Sequence, residues 1–397
     1  MKKAVYRLLA LALALALSNG VSPAGEVLLP ADLAPSWGWG PFVRPNGVNP
    51  LIKPDPNATF DCPMAGKPIH WEATHTFNPS AVVKDGKVYI LYRAEDDSGT
   101  HIGGYTSRIG MAVSDDGLHF TTSPTPVLYP DNDAQKAMEW RGGCEDPRLI
   151  EGPEGTYVIL YTQWNRKNVT LAAATSKDLV HWEKHGGIFA KALDGRYAAL
   201  RGGKSGAIVG KLEDGRVRAA KINGKYWLYW GEGDIQVATS DNLIDWTMVE
   251  TSPGQPLKLL PRRPHHFDSR LAEAGPNAIV TDKGIVFIYN GKNQKGAGGD
   301  MNLPEGIYCV GEALFDSADP TKLLQRTEKP IFQPEAPYEQ SGQYVGGTTF
   351  VEGLVYFRQK WLLYYGCADS LVAMAVYDPS ATATASPVAA APATSGK

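Results

Sequence analysis

The chain has 397 residues, and its 39 basic and 42 acidic side chains give a formal net charge of −3. This near-neutral sequence has no basic block interleaved with aromatic residues, which argues against a nucleic-acid partner. Hydrophobic residues make up 43% of the chain, enough to build a large core, so disorder along the whole length is excluded.

The first 25 residues have the pattern of a secretory signal peptide. Lys2, Lys3 and Arg7 precede a short run of alternating leucine and alanine, which small residues follow from Ser18 onwards. Such a run is too short to span a bilayer core of ~30 Å. We therefore expect residues 1–25 to be cleaved without leaving a membrane span. The mature protein is expected to be exported to the periplasm or the extracellular space.

Two further segments lack a regular hydrophobic period. Residues 26–75 are rich in proline, glycine and tryptophan, which predicts an irregular arm packed on the domain. Residues 379–397 form a low-complexity run of alanine, threonine, serine and proline, which predicts a disordered tail.

The chain contains four cysteines: Cys62, Cys144, Cys309 and Cys367. In an exported protein they allow three disulfide pairings, but single buried thiols are the simpler expectation. No Cys-x-x-Cys spacing occurs, and the neighbouring His265 and His266 would point to opposite faces of a strand. The sequence therefore predicts neither a metal site nor a cofactor.

Five short runs rich in aromatic and β-branched residues recur along the rest of the chain. They are Lys87–Tyr92, Tyr157–Tyr161, Lys225–Tyr229, Ile285–Tyr289 and Trp361–Tyr365. Each run is too short for a helix and predicts a strand. Another short strand with a polar start precedes every run, and three runs continue into a further strand and a serine-initiated turn.

Five such copies predict an all-β domain, a five-bladed β-propeller over residues 76–378. A β-sandwich, the alternative, would not explain five copies in the same order. In a propeller the first strand of each blade lines the central channel, so polar residues at the strand starts meet at one mouth of the ring. These residues are Asn78, Glu145, Asp146, Lys204, Asn277 and Thr348.

The strand ends carry the residue types that glycoside chemistry needs. Arg93, Glu232 and Asp369 follow the first, third and fifth aromatic runs. Arg148 lies two residues after Asp146, and on a strand both side chains face the same way, so this arginine would pair with Asp146 or with a substrate. One carboxyl group can protonate a leaving oxygen while another activates water. Four aromatic residues are candidates for stacking on sugar rings: Trp164, Trp230, Tyr289 and Tyr364.

Several motifs in this order resemble glycoside hydrolase family 130, the β-mannoside phosphorylases and related β-mannosidases on five-bladed propellers. The motifs are Asn78-Pro with residues 87–93, residues 107–117, Glu145-Asp-Pro-Arg-Leu149, Ala274-Gly-Pro, Tyr338-Glu-Gln-Ser-Gly342 and Tyr364-Tyr-Gly-Cys-Ala-Asp369. The resemblance implies that Asp146 is the general acid. It also implies that Asn78, Arg93, Lys204 and Asp369 bind the sugar whose bond is cleaved.

Two departures from the family's phosphorylases concern phosphate. Those enzymes bind phosphate with an arginine after the third aromatic run and a histidine after the fourth, where this chain has Glu232 and Asn290. A carboxylate there would repel phosphate and is suited to activating water. We therefore expect an inverting hydrolase that acts on manno-oligosaccharides or mannan, with the β-1,2 linkage carried over from the family's hydrolases of this type. Asp146 is the predicted acid and Glu232 the predicted base, with Glu339 as the second candidate base.

Two alternatives stay open at the level of sequence. One is a β-mannoside phosphorylase that releases mannose 1-phosphate, and the other is a carbohydrate-binding propeller without turnover. The sequence predicts no particular oligomeric state.

Overall fold

The computed structural model describes residues 35–193, 195, 203–344 and 346–383. The predicted signal peptide, the first residues of the predicted arm and residues 384–397 of the predicted tail lie outside this range. Within the tail, Pro379–Ala383 forms a short helix where disorder was expected. Asp378 accepts a hydrogen bond of 2.9 Å from the Ser380 N–H, as an N-capping carboxylate does. None of the helices in the described range is long and apolar enough to cross a membrane.

The described part of the arm contains one antiparallel hairpin and is otherwise irregular. The hairpin pairs β1 (Thr59–Cys62) with β2 (Lys67–His70).

The rest of the chain folds as a five-bladed β-propeller, which confirms the predicted fold class. Blade one contains β3 (His75–Lys84), β4 (Lys87–Glu95), β5 (Ser107–Ser114) and β6 (Thr121–Thr122). A short helix, α1 (Lys136–Glu139), leads to blade two, which contains β7 (Gly143–Glu151), β8 (Tyr157–Trp164), β9 (Val169–Ser176) and β10 (Glu183–Gly187).

Blade three has more and shorter strands than the first two blades. It contains β11 (Gly206–Glu213), β12 (Arg216–Ala219), β13 (Lys221–Ile222), β14 (Lys225–Trp230), β15 (Glu232–Gly233), β16 (Ile235–Ser240), β17 (Trp246–Met248), β18 (Glu250–Ser252), β19 (Gln255–Pro256) and β20 (Lys258–Leu260). Blade four contains β21 (Leu271–Ala274), β22 (Ala278–Val280), β23 (Ile285–Lys292), β24 (Tyr308–Phe315) and β25 (Leu323–Arg326). Blade five contains β26 (Thr349–Phe357), β27 (Lys360–Cys367) and β28 (Leu371–Tyr377).

The five aromatic runs are central strands of the blades: β4, β8, β14, β23 and β27. Each of these strands pairs with a strand on both sides, and neighbouring blades cover both of its faces. Ile90, Leu91 and Tyr92 are therefore all fully buried although successive side chains point in opposite directions. Burial on both faces explains why these strands read as continuous apolar runs rather than as alternating patterns.

The N-terminal arm forms the outer edge of blade five and so closes the ring. The Val43 and Val376 backbones exchange two hydrogen bonds of 2.8 Å, and the Leu51 N–H donates to the Val372 carbonyl at 2.8 Å. Trp39 packs on Trp361 with ring centroids 4.8 Å apart. The part of the predicted arm that the structure describes thus packs on the propeller.

A buried ion pair fixes the arm to the loop before blade five. Arg44 Nε lies 2.7 Å from Glu339 Oε1, and the Glu339 side chain has no exposed surface. Tyr365 Oη donates a hydrogen bond of 2.6 Å to the same oxygen. The backbone N–H groups of Glu335 and Ala336 donate to Glu339 Oε2 at 2.7 and 2.8 Å. The Glu339 carboxylate is therefore fully engaged within the protein.

All four cysteines are buried and unpaired, which agrees with the expectation of single buried thiols. None of them lines the cavity described below.

We predict that Arg44→Ala lowers the free energy of unfolding by about 3 kcal/mol, because it leaves the Glu339 carboxylate buried without its cation. Urea unfolding followed by tryptophan fluorescence measures the change. Lys225→Ala is the matched control, since Lys225 and its partner Asp241 are 48% and 71% exposed. The control should change stability by less than about 1 kcal/mol, and equal losses in both variants would contradict the assignment.

Candidate active site

A cavity of about 260 Å³ opens at one mouth of the ring. Six of the nine predicted catalytic and substrate-binding residues line it: Asn78, Arg93, Asp146, Lys204, Glu232 and Asp369. Further lining residues are the carboxyl groups of Glu145 and Glu273 and the aromatic rings of Trp164, Tyr308, Tyr344 and Phe350. All five blades therefore contribute to one site, but the predicted strand starts Asn277 and Thr348 are not among its lining residues. Asn277 instead accepts a hydrogen bond from the Ile208 N–H and donates one to the Leu149 carbonyl.

Asn78 and Asp146 reach the cavity through irregular points in two inner strands. The registers of β3 against β4 and of β7 against β8 shift at these residues. Both residues have φ +49°, a conformation that Asn and Asp adopt more readily than most residues. Asn78 Nδ2 donates a hydrogen bond of 2.9 Å to Asp146 Oδ1. A side chain at Gly366 would come within 2.4 Å of Asn78 Oδ1, so the glycine leaves room for this amide.

Arg93 joins three carboxyl groups at the start of the channel. Its guanidinium lies 4.7 Å from the centre of the Phe77 ring, the residue opposite it on β3. Nη1 lies 3.2 Å from Asp146 Oδ1. Nη2 lies 2.7 Å from Glu95 Oε1 and 2.9 Å from Glu145 Oε1. One buried cation thus orients three acids, including the predicted general acid.

Lys204 lies between the two sides of the cavity. Its Nζ is 3.3 Å from Glu273 Oε1, 3.7 Å from Asp146 Oδ2 and 3.7 Å from Glu232 Oε1. Burial alone would lower the pKa of Lys204, but the three carboxylates raise it well above the usual value. Lys204 therefore remains an ammonium ion that bridges the predicted acid and the predicted base.

Glu273 is a site residue that the sequence analysis did not identify. It lies on β21 directly opposite Glu232 on β15, and its side chain is fully buried. Ser205 Oγ donates a hydrogen bond of 2.5 Å to Glu273 Oε1. Glu273 Oε2 has no hydrogen-bond partner among the described residues. The available signal was an acid inside the apolar strand Leu271–Ala274, next to the Ala274-Gly-Pro motif.

The acids of the site divide into ionised and protonated groups. Burial raises the pKa of Glu145 and that of Asp369 to about 7 each. Burial would also raise the pKa of Asp146, but the cations Arg93 and Lys204 hold it well below its usual range. Near neutrality Asp146 is therefore a carboxylate, while Glu145 and Asp369 hold the exchangeable protons of the cluster.

Arg148 lies behind the cavity rather than in its lining. Its Nη1 is 2.9 Å from Glu352 Oε1 and donates to the Asp146 carbonyl at 3.0 Å, and its Nη2 donates to the Ala274 carbonyl at 2.7 Å. Its side chain is only 1% exposed. Arg148 thus supports the backbone of Asp146 and has no route to a substrate.

Two other predicted residues lie outside the cavity lining. Asn290 is fully buried and exchanges two hydrogen bonds with the Val351 backbone, at 2.8 and 3.0 Å, which tie blade four to blade five. Glu339 binds Arg44 and Tyr365 as described above and is also fully buried. Their polar groups already have partners within the protein, so the structure brings neither residue to the site.

Of the four aromatic candidates for stacking, only Trp164 lines the cavity. Trp230, Tyr289 and Tyr364 are buried inside the blades, where the two tyrosines donate hydrogen bonds to Asp268 and to the Gly117 carbonyl. These rings belong to the packing of the central strands.

Two carboxyl groups, those of Asp146 and Glu232, contact the same cation, Lys204. Asp146 Oδ2 and Glu232 Oε1 are each 3.7 Å from Lys204 Nζ. The distance between the two oxygens is therefore at most the sum of these two distances. Inverting glycosidases hold their two carboxyl groups about 6.5–9.5 Å apart, with room for a water molecule. This upper limit is compatible with that separation and also with the shorter one, about 5–5.5 Å, of retaining enzymes. The Glu232 side chain is 42% exposed, so water reaches it.

The sequence and the fold are similar to those of several known proteins. A family model described as β-1,4-mannooligosaccharide phosphorylase matches residues 48–380. The chain is 30% identical over 314 residues to a 1,2-β-oligomannan phosphorylase from Thermoanaerobacter sp. (strain X514), covering 78% of this chain and 91% of that one. A solved structure of a glycosyl hydrolase from Bacteroides ovatus is 52% identical with a TM-score of 0.85, covering 87% of this chain and 96% of that one.

Another solved structure carries the description "The GH130 family of mannoside phosphorylases contains glycoside hydrolases that target beta-1,2 mannosidic linkages in Candida mannan". It is 50% identical to this chain with a TM-score of 0.86, and the match covers 93% of this chain and 99% of that one. Because the family model spans most of the sequence and these structures align over nearly their whole length, the chain belongs to glycoside hydrolase family 130, whose members process mannosides.

Proposed function

We propose that this protein hydrolyses β-mannosidic linkages, β-1,2 linkages in manno-oligosaccharides or mannan, by a single displacement that inverts the anomeric carbon. The observation that carries the proposal is the position of Glu232, a partly exposed carboxyl group that lines the cavity and shares Lys204 with Asp146. An inverting hydrolase needs a carboxylate at that place to take a proton from the attacking water.

The charges of the cavity favour water over phosphate as the attacking group. Glu232 and Glu273 lie opposite each other on paired strands, and Lys204 is the cation in contact with both. A phosphate dianion beside the partly exposed carboxylate of Glu232 would meet electrostatic repulsion, whereas a neutral water molecule would not. The Glu273 oxygen without a protein partner is a second acceptor for that water.

The leaving oxygen receives its proton from the side of the cavity that carries Asp146. Because Arg93 and Lys204 keep Asp146 ionised, the proton must come from the neighbouring acids that hold one near neutrality, Glu145 and Asp369. A sugar hydroxyl bound at Asn78 and Asp146 would connect these protonated acids to the glycosidic oxygen, so that a proton can pass between them. In this mechanism Arg93 positions the acids. Asp146 accepts a proton from Glu145 or Asp369 and passes it to the bound sugar hydroxyl, which gives up its own proton to the glycosidic oxygen.

Phosphorolysis is the second candidate function, and one observation favours it: the curated relatives at 30–31% identity are phosphorylases.

We also propose that the protein is exported, because residues 1–25 have the pattern of a signal peptide. Mass spectrometry of the N-terminus of the protein recovered from the producing cell's periplasm or medium tests export. An uncleaved Met1 on the mature protein would contradict it.

Incubation with β-1,2-mannobiose, with and without phosphate, separates the two reactions. We expect mannose release that does not depend on phosphate, with α-mannose as the first anomer seen by NMR, since inversion of a β-linkage gives the α-product. Strict phosphate dependence with release of mannose 1-phosphate would assign the second function. If the protein bound β-1,2-mannobiose but cleaved it under neither condition, it would be a carbohydrate-binding propeller rather than an enzyme.

Glu232→Gln should lower kcat by about 10²- to 10⁴-fold, the usual contribution of a general base, with little change in KM. The amide keeps the shape of the side chain but cannot accept the proton. Glu213→Gln is the control, an exposed glutamate on β11 outside the cavity. A Glu232→Gln enzyme with the wild-type kcat would remove Glu232 as the base.

The pH dependence of kcat/KM should show a fall above about pH 7. Glu145 and Asp369 have pKa values raised to about 7, so both are protonated below this pH. Above it they lose their protons, and the site can no longer supply a proton to the leaving oxygen. Glu145→Gln should displace this limb, whereas Asp115→Asn, at a carboxylate whose side chain is 81% exposed, should not. A rate that stays constant between about pH 6 and 9 would contradict the proton supply.

A further inference from the structure

One side of the cavity mouth carries apolar side chains that the catalytic geometry does not use. Ile102, Trp164 and Val169 line the cavity there, and we call these three residues the apolar wall. Trp164 and Val169 are directly opposite each other on β8 and β9. Ile102 comes from the loop between β4 and β5 and is 51% exposed, one of the few large apolar side chains on the surface of the described chain.

The apolar wall is built before any ligand arrives. Arg166, in the turn between β8 and β9, donates a hydrogen bond of 2.5 Å to the Gly104 carbonyl, and so ties the loop of Ile102 to blade two. The Trp164 ring lies across Gly142, where an added Cβ would be 2.0 Å from Trp164 Cδ1. The glycine therefore leaves the space that the ring occupies, and two blades hold the wall in place.

A buried hydroxyl next to the wall lacks a partner. Thr162 lies two residues before Trp164 on β8, so both side chains point to the same face of the strand, and both residues line the cavity. Thr162 is 1% exposed, and its Oγ1 has no hydrogen-bond partner among the described residues. Burying a hydroxyl without a partner costs free energy, so this group points to a polar ligand atom beside the wall.

The position of the acid defines which sugar the wall contacts. In a single displacement the leaving group departs on the side of the acid, and water attacks from the side of the base. Thr162 pairs directly with Glu145, the residue before Asp146, whereas Glu232 lies on β15 and pairs with blade four. The apolar wall therefore lies on the acid side.

We propose that the apolar wall and Thr162 bind the sugar of the leaving group. An apolar sugar face packs on the Trp164 ring and on Ile102, and a ring hydroxyl hydrogen-bonds to Thr162 Oγ1. Aromatic rings recognise such apolar faces, while the single hydroxyl sets the orientation. The inference rests on the proposed hydrolysis. It adds that the enzyme recognises the leaving group and favours substrates whose leaving group is a sugar.

Two substrates with the same mannosyl group test the inference. β-1,2-Mannobiose has a sugar leaving group, and β-mannosyl fluoride has none that reaches the wall. Trp164→Ala should lower kcat/KM for the disaccharide about tenfold more than kcat/KM for the fluoride, because a loss of ~1.4 kcal/mol of ring contact is a factor of ten. Trp164→Phe should restore most of the loss, and Val180→Ala, at an apolar surface residue outside the cavity, should leave the ratio unchanged.

The outcomes distinguish this inference from the proposed function. Equal losses on both substrates would mean that Trp164 shapes the whole site, and no loss on either would mean that the wall binds no sugar; both results overturn the inference while hydrolysis stands. A wild-type enzyme that hydrolyses neither substrate would overturn the proposed hydrolysis and the inference with it. Thr162→Val should lower the ratio of kcat/KM for the disaccharide to kcat/KM for the fluoride, because it removes the hydroxyl and keeps the shape of the side chain.

Discussion

Asp146 is shared by two buried cations, and the cost of burying those cations organises the site. Arg93 approaches it from blade one and Lys204 from the start of blade three, while Asp146 itself belongs to blade two. An unpaired cation at this depth would be strongly unfavourable, so each cation must be met by carboxylates from a neighbouring blade. The same contacts that hold the blades together therefore assemble the acids of the site. Burial, together with the neighbouring acids, in turn raises the pKa of Glu145 and of Asp369 to about 7.

The parts that could be predicted from the sequence are those with a local signature. The central strands read as apolar runs because both of their faces are buried. Propeller topology brings the polar strand starts of the first three blades to one mouth, whereas Asn277 and Thr348 do not line the cavity. Glu273 escaped prediction because its one local signal, an acid inside a short apolar strand, does not show that the strand faces the channel. Asn290 and Glu339 were expected at the site because they stand at or beside family motifs. Their partners, the Val351 backbone and Arg44, are distant in sequence, and no local pattern shows that such a side chain is already satisfied.

The family relationship gives this cavity a simple physical meaning. Relatives described as phosphorylases and a structure described with glycoside hydrolases share the fold and most of the chain. A propeller supplies its inner strands as a constant frame, and a few side chains at the strand ends decide what can enter from the water side. In this chain that side carries the paired acids Glu232 and Glu273, with a single lysine between them and Asp146. In the proposed mechanism, charge at these positions, rather than a change in the fold, favours hydrolysis over phosphorolysis.

The arm that completes blade five also determines the order in which the ring can be finished. Asn49 exchanges hydrogen bonds with the Met374 backbone, 325 positions further along the chain. A contact between residues so far apart closes a very long loop, and its entropic cost is met only when the intervening blades are already formed. The segment synthesised before the first blade is thus among the last to reach its native place. Until the end of the last blade is present, blade five lacks its outer partner and the propeller stays an open row of sheets with an unpaired edge.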